Sequence, residues 1–298
     1  MRTTPEIPPS DEEIAELKRK SKGMPPLAVQ FFLSIITTII AYAVIAVLLI
    51  PSIFIPGLLR RTINKAEENP TTKMLFAQNI EIIDAISKMP RVMWQLALIY
   101  LFQWYALFCY WQNSSKSIAL SVWKTTPTEN PDLYEKAVGW TGLVNGWYNI
   151  VTFLSAFVLV WFARKYSPKL VHFGCLVLAG IGFLVFPFIE NKYLLFPAIT
   201  GFGIGWASMM GIPYLMVVSK IPKERYGVYM GIINMMIVIP MFIQTTTFGF
   251  IMKTFLGNNS GNAIAFAGIL LLIAASLTLL IKSDKPGANT EVSFSAGH

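Results

Sequence analysis

Seven stretches of this 298-residue chain contain no Asp, Glu, Lys or Arg, and each is at least 20 residues long. They are Leu27–Leu59, Val92–Ser115, Ala137–Ala163, Leu170–Ile189, Tyr193–Ser219, Tyr226–Met252 and Thr254–Ile281. Roughly 20 apolar residues cross a bilayer as an α-helix. Inside lipid the backbone must satisfy its own hydrogen bonds, and none of these stretches shows the alternating polarity of a barrel strand. The sequence therefore predicts an all-α polytopic membrane protein.

The composition excludes a water-soluble globular protein and a disordered chain. Only 13% of the residues are charged and 54% are hydrophobic, whereas soluble domains are about 25% charged. A net charge of +8 is compatible with nucleic-acid binding in principle, but that requires a basic patch on a soluble face. Here the positive charges flank the apolar stretches, which is a topology signal. We expect the lipid bilayer as a partner and no nucleic acid.

The distribution of Lys and Arg predicts the orientation of the last six stretches. If they cross in turn, one side carries Arg91, Arg164, Lys165, Lys169, Lys220, Lys223, Arg225, Lys282 and Lys285, and the other carries Lys116, Lys124, Lys136, Lys192 and Lys253. Short cytoplasmic loops are enriched in positive charge. Nine against five places both ends of the block in the cytoplasm and a long loop, 116–136, on the opposite side.

Five regions follow from these patterns. They are a polar cytoplasmic-type segment (1–26), an apolar membrane segment (27–59), a cytoplasmic linker with an amphipathic helix (60–90), a six-span block (91–282) and a polar tail (283–298). Basic residues flank the 27–59 segment on both sides, so it either enters and leaves as a shallow hairpin or crosses once. We favour one membrane-embedded helix and leave its direction open.

No pattern in the sequence indicates an enzyme. The chain has two histidines and two cysteines, and no metal-ligand spacing, nucleophile elbow or phosphate loop is present. The glycine-rich run at 201–205 follows no strand, so we interpret it as close helix packing and not as a nucleotide site. We expect no cofactor and no metal.

Uncharged polar and aromatic residues recur inside the predicted spans. Amides within a membrane face other helices or water rather than lipid. They either hold helices together or line a solute cavity, in which aromatic faces stack on sugar rings and amides bind hydroxyls. We favour the cavity because several of these residues lie deep in their spans. The candidate substrate-binding residues are Trp104, Asn145, Tyr148, Asn149, Trp206, Tyr214 and Asn234.

A more specific pattern runs from Gly203 to Pro240. It contains Gly-Ile-Gly-Trp-Ala-Ser at 203–208, Pro213-Tyr214, Ile221-Pro222, Tyr226-Gly227-Val228-Tyr229-Met230-Gly231-Ile232-Ile233-Asn234 and Ile237-Val238-Ile239-Pro240. This run resembles the tenth and eleventh helices of the sucrose/maltose-type sugar:proton symporters of the major facilitator superfamily. Met89-Pro90 and Trp104-Tyr105-Ala106-Leu107-Phe108 resemble the seventh helix of that family, and Gly257-Asn258-Asn259 resembles the entry to the twelfth. The resemblance covers about residues 89–282.

The resemblance implies the six-helix C-terminal half of a twelve-helix transporter, with inverted three-helix repeats and a midplane cavity. The segment 27–59 is then one extra N-terminal membrane-embedded helix without a counterpart in that family. The implied function is alternating-access symport of a sugar, a disaccharide or glucoside, in a bacterial inner (plasma) membrane. The implied partners are the sugar and a missing N-terminal half or a second copy. The alternative is a stand-alone scaffold or a homodimeric carrier without proton coupling.

Two details bear on substrate and coupling. The resemblance implies a glutamine directly after Pro240, where this sequence has Met241. All five acidic residues between 92 and 281 are expected in loops: Glu129, Asp132, Glu135, Glu190 and Glu224. Since intramembrane acids are the usual proton relays, we expect the coupling acid to come from the N-terminal half. His172 lies too close to a loop to replace it.

Overall fold

A computed structural model of the chain describes residues 88–218, 220–222 and 225–281, together with the isolated residues 36, 61, 82 and 84–86. The chain divides into two compact units, Met1–Ser87 and Lys88–His298. The predictions for residues 1–26, 27–59 and 283–298, and most of the predicted amphipathic helix, fall outside the described residues.

The second unit is entirely helical in its described part. Its α-helices are α1 (Arg91–Val122), α2 (Pro131–Lys165), α3 (Pro168–Val185), α4 (Leu195–Val218), α5 (Tyr226–Thr254) and α6 (Ser260–Thr278). Two short 3-10 helices, Phe186–Phe188 and Lys192–Leu194, join α3 to α4. All six α-helices are long and apolar enough to cross a membrane. The prediction of a multi-pass, all-α membrane protein is confirmed.

The helix ends differ from the limits of the charge-free stretches. The predicted long loop 116–136 is wrong, because α1 continues to Val122 and α2 begins at Pro131. Lys116 and Lys136 are consequently helical and exposed. Asp132 and Glu135 also lie in the first turns of α2 and not in a loop. Charged residues at the membrane surface are compatible with a helix that extends past the apolar core.

The last predicted stretch begins too early. Residues Gly257 and Asn258 have positive φ angles of 62° and 55°, which end the helical path after α5. The side chain of Asn259 then accepts hydrogen bonds from the backbone N–H groups of Gly261 and Asn262, at 2.7 Å and 3.2 Å. A side chain that caps the first turn in this way fixes the start of a helix. The helix α6 therefore starts at Ser260 and not at Thr254.

The helix contacts show an internal symmetry. The helix α1 packs on α6 and α5, while α4 packs on α3 and α2. If α1, α2 and α3 are exchanged with α4, α5 and α6 respectively, the α1–α6 contact becomes the α4–α3 contact and the α1–α5 contact becomes the α4–α2 contact. The α3–α6 contact is unchanged by this exchange. Since each repeat has an odd number of spans, the two repeats have opposite orientations in the membrane. This is the arrangement of inverted three-helix repeats.

Glycines allow α3 and α4 to approach closely. A Cβ atom on Gly201 would lie 2.5 Å from the backbone oxygen of Leu178, and one on Gly205 would lie 2.7 Å from the Cβ atom of Ala179. Small residues at membrane helix interfaces permit such close backbone contact. The interpretation of the glycine-rich run as a packing motif is supported by this geometry.

The orientation of the bundle can be tested by cysteine labelling. We expect a Lys223→Cys variant in intact cells to react with a membrane-impermeant maleimide only after permeabilisation, because the segment between α4 and α5 is rich in positive charge. Thr128→Cys, between α1 and α2, is the matched control and should react without permeabilisation. The native cysteines, Cys109 and Cys175, are buried and give little background. The reverse labelling pattern would show that the bundle has the opposite orientation in the membrane.

Candidate functional site

One side of α1 is only partly covered by the other described helices. Exposed or half-buried side chains recur along one face of this helix, interrupted at Tyr105, which is buried. We call this stripe the open face of α1; it consists of Trp94, Leu98, Leu101, Phe108, Gln112 and Lys116. The helices α4 and α5, although consecutive in the chain, barely contact each other. The open face is thus flanked by α4 on one side and by α5 on the other.

Three tryptophans meet on the α4 side of the open face. The ring of Trp206 lies 5.6 Å from that of Trp104 and 5.6 Å from that of Trp111, both in edge-to-face geometry. The ring of Phe108 packs edge-on against Trp111 at 5.7 Å. Edge-to-face contacts fix the ring planes relative to one another. Trp104 is buried, whereas Trp111 and Trp206 remain half-buried, so their rings are available to a solute on the open face.

Two glutamines meet on the α5 side. The Nε2 group of Gln244 donates a hydrogen bond to Oε1 of Gln112 at 3.0 Å and contacts the Sγ atom of Cys109 at 3.7 Å. Nearby, the hydroxyl groups of Tyr105 and Thr247 lie 2.9 Å apart. Gln112 is exposed while Gln244 is buried. The buried amide therefore orients the exposed one. Sequence reasoning did not select this pair, since no sequence signal joins two residues on different helices.

Asn145 and Tyr148 belong to a second cluster, around Tyr110. The hydroxyl group of Tyr110 donates to Oδ1 of Asn145 at 2.8 Å, and its ring stacks on Phe183 with 4.6 Å between centroids. Tyr148 packs edge-to-face on Phe202 at 4.8 Å. Stacked rings in a buried cluster contribute packing energy. This geometry favours helix association between α1, α2, α3 and α4 as the role of Tyr148.

The remaining predicted site residues are dispersed. Asn149 is exposed on α2, and its side chain donates to the backbone oxygen of Asn145 at 2.8 Å. Asn234 is exposed on α5, and Tyr214 is half-buried on α4 directly after Pro213. Of the seven predicted residues, the structure brings Trp104 together with Trp206, and Asn145 together with Tyr148. It leaves Asn149, Tyr214 and Asn234 outside both groups.

Several buried polar atoms within the described residues have no hydrogen-bond partner in the protein. On α1 these are the Tyr100 hydroxyl, both side-chain polar atoms of Gln103, Nε1 of Trp104 and the hydroxyls of Ser117 and Ser121. Unpaired buried polar groups are costly and require an explanation such as a bound water or solute. Tyr100 and Gln103 were not selected from the sequence. The deep, in-span position of Gln103 is the signal that points to it.

His172 is more deeply enclosed than its position near a loop predicts. It is fully buried in α3, with Nδ1 2.8 Å from the hydroxyl group of Ser208 on α4 and Nε2 without a protein partner. The side chain thereby joins α3 and α4, two closely packed helices.

Charged side chains make contacts with one another and with an aromatic ring at the opposite end of the bundle. The Nζ group of Lys124, after α1, pairs with the carboxylate of Glu190 in the connection between α3 and α4. The ammonium group beside it holds the pKa of Glu190 below its ordinary value. Lys192 lies over the Trp140 ring, 4.7 Å from its centroid. These contacts join the segment after α1 and the first part of α2 to the connection between α3 and α4.

Comparison with known families gives one match. The sequence pattern of the Major Facilitator Superfamily fits residues 24–245, which is more than half of the chain. The match includes the apolar segment 27–59, which has no counterpart in the resemblance to sugar symporters, and it ends within α5. No curated protein and no solved structure matched the chain. Six apolar helices and this match together show that the chain belongs to the major facilitator superfamily, whose members are membrane transporters and not enzymes.

Proposed function

We propose that the chain transports a sugar by alternating access, as the C-terminal six-helix half of a proton-coupled or other cation-coupled symporter in a bacterial inner membrane. The observation that carries this proposal is the open face of α1, where Trp111 and Trp206 lie on one side and the Gln112–Gln244 pair on the other. Sugars present apolar C–H faces and hydroxyl edges together. Apolar walls with a few placed polar groups are typical of solute sites.

The site residues predicted from the sequence have different roles in this proposal. Trp206 belongs to the aromatic wall and remains a candidate for stacking on a sugar ring, whereas the buried Trp104 is proposed to hold the Trp206 ring in place from behind. Asn145 and Tyr148 are proposed as its support, through their contacts with Tyr110 and Phe202. Asn149, Tyr214 and Asn234 are proposed to reach the solute only when a second set of helices closes the cavity.

A second set of helices is supported by the surfaces of α2 and α5. These are the least buried of the six spans. From residue 156 to residue 162, exposed side chains of α2 cover more than half of the helix circumference. Exposed polar side chains, Asn149 on α2 and Asn234 on α5, are costly in lipid. We propose that a complementary six-helix half, or a second copy of this chain, covers both surfaces and closes the cavity.

Sugar binding by the purified chain tests this site. We expect Gln112→Ala and Trp206→Ala each to weaken binding of a radiolabelled disaccharide about tenfold, a loss of about 1.4 kcal/mol, because each removes one wall of the site. The measurement is equilibrium dialysis in detergent against a panel of disaccharides and glucosides. Trp161→Ala is the matched control, since Trp161 is 54% exposed near the end of α2 and far along the chain from both walls.

Two site variants are used so that misfolding of one of them does not decide the result. Trp206 contacts three other aromatic rings, so its removal also disturbs packing, whereas Gln112 is exposed and its removal costs the core only the hydrogen bond that the buried Gln244 donates to it. If the Gln112→Ala and Trp206→Ala variants both bind the sugar as tightly as the wild type, the open face of α1 is not the sugar site. An equal loss in Trp161→Ala would show that the effect is not local.

A further inference from the structure

The buried side of α1 carries three polar side chains well inside the span. Tyr100, Gln103 and Trp104 lie within about one helical turn, and they are 0%, 0% and 4% exposed. Four of their side-chain atoms have no hydrogen-bond partner in the protein: the Tyr100 hydroxyl, Nε2 and Oε1 of Gln103, and Nε1 of Trp104. A buried polar atom without a partner costs free energy. These three residues, which we call the inner polar group, therefore need hydrogen bonds that the protein does not supply.

The inner polar group is separate from the proposed sugar site. Successive residues of an α-helix are rotated by about 100°, so Gln103 lies on the side of α1 opposite the open face, and Tyr100 lies between Gln103 and Trp104. The Tyr100 ring packs edge-on against Trp104, with 6.3 Å between centroids. Trp104 in turn packs against Trp206, which flanks the open face. The inner polar group is thus enclosed in the bundle behind these tryptophans.

The donors and acceptors of the inner polar group define its occupant. Nε1 of Trp104 and Nε2 of Gln103 donate, Oε1 of Gln103 accepts, and the Tyr100 hydroxyl does both. The occupant must therefore accept and donate hydrogen bonds. The sequence between Val92 and Ser115 contains no charged residue, so α1 offers no counter-charge to an ion here. Water is neutral, fits an enclosed site and makes about three hydrogen bonds in protein interiors.

We propose that Tyr100, Gln103 and Trp104 bind a small cluster of internal water molecules. The water completes the hydrogen bonds of the inner polar group and orients the Gln103 amide in the interior of the bundle. This site stands whether or not the open face of α1 binds a sugar.

Tyr110 provides a matched control for Tyr100 on the same helix. Both tyrosines are 0% exposed, but the Tyr110 hydroxyl donates to Oδ1 of Asn145 at 2.8 Å. The experiment is X-ray hydroxyl-radical footprinting of the full purified chain in detergent, measured by mass spectrometry. Internal water forms radicals beside the residues that bind it, whereas a scavenger in the bulk solvent suppresses labelling from outside. We expect Tyr100 to be modified about tenfold faster than Tyr110, with or without the scavenger.

The Gln103→Met variant tests the contribution of the amide. Methionine is close to glutamine in length and volume but has no N–H donor and only a weakly accepting sulfur. We expect the rate of Tyr100 modification to fall about threefold and the Tyr110 rate to stay unchanged. An unchanged Tyr100 rate in this variant would contradict the proposal.

The wild-type comparison needs no variant and decides the result if Gln103→Met does not fold. Equally slow modification of Tyr100 and Tyr110 in the wild type would overturn the proposal. Suppression of Tyr100 labelling by the scavenger would also overturn it, because the radicals would then come from the bulk solvent.

Discussion

Gly201→Ala is expected to lower the thermal stability of the purified chain, although alanine is the better helix former. The added Cβ atom would lie 2.5 Å from the backbone oxygen of Leu178 and 3.0 Å from its carbonyl carbon. Because the obstacle is backbone and not a flexible side chain, α3 and α4 must separate to admit the methyl group. Overpacking of this kind costs about 1–3 kcal/mol. The measurement is thermal unfolding in detergent, followed by circular dichroism.

Gly211→Ala on the same helix is the matched control, with an effect of opposite sign. A Cβ atom at Gly211 would meet no atom within 4 Å, so only helix propensity changes, and alanine is favoured by about 1 kcal/mol. We expect this variant to be as stable as the wild type or slightly more stable. A stabilising effect of Gly201→Ala would show that α3 and α4 are not packed as closely as described.

The six spans between residues 91 and 278 could be predicted from the sequence, because lipid forces each apolar stretch to form a helix. The helix ends could not be predicted from the absence of charge. Asn130 caps α2 by accepting from the N–H of Leu133 at 3.1 Å, and this local hydrogen bond starts the helix six residues before the apolar stretch. Lys116 similarly remains helical because its side chain is exposed beyond the core. Caps and surface turns decide these boundaries.

The candidate site was only partly predictable. In-span depth drew attention to Trp104 and Trp206, which the structure brings into contact; their role in substrate binding stays a prediction. The same criterion does not separate a residue that packs, such as Tyr148, from one that faces open space. The pairing of Gln112 with Gln244 depends on how α1 and α5 pack, and the two residues are 132 positions apart. Such pairs emerge only from the three-dimensional arrangement.

The other large expected effect concerns coupling: the 298-residue chain by itself should not accumulate sugar against a gradient. Among the acidic residues between 91 and 281, Asp132 and Glu135 are exposed in the first turns of α2, and Glu129 and Glu190 lie outside the helices. None lies deep in a described span, where a carboxylate couples proton binding to conformation. Within the described residues, the open face of α1 also has no opposing set of helices, and alternating access needs two sets of helices that rock around the solute.

Proton-driven uptake by proteoliposomes containing only this chain tests the proposed half-transporter most directly. An inward pH gradient is imposed and radiolabelled sugar is followed over time. A complete twelve-helix sugar:proton symporter, reconstituted in parallel, verifies the gradient, and retained sugar binding verifies folding of the chain. We predict sugar binding without accumulation above the external concentration. Accumulation that a proton ionophore abolishes would contradict the proposal and identify the chain as a carrier that is complete in itself.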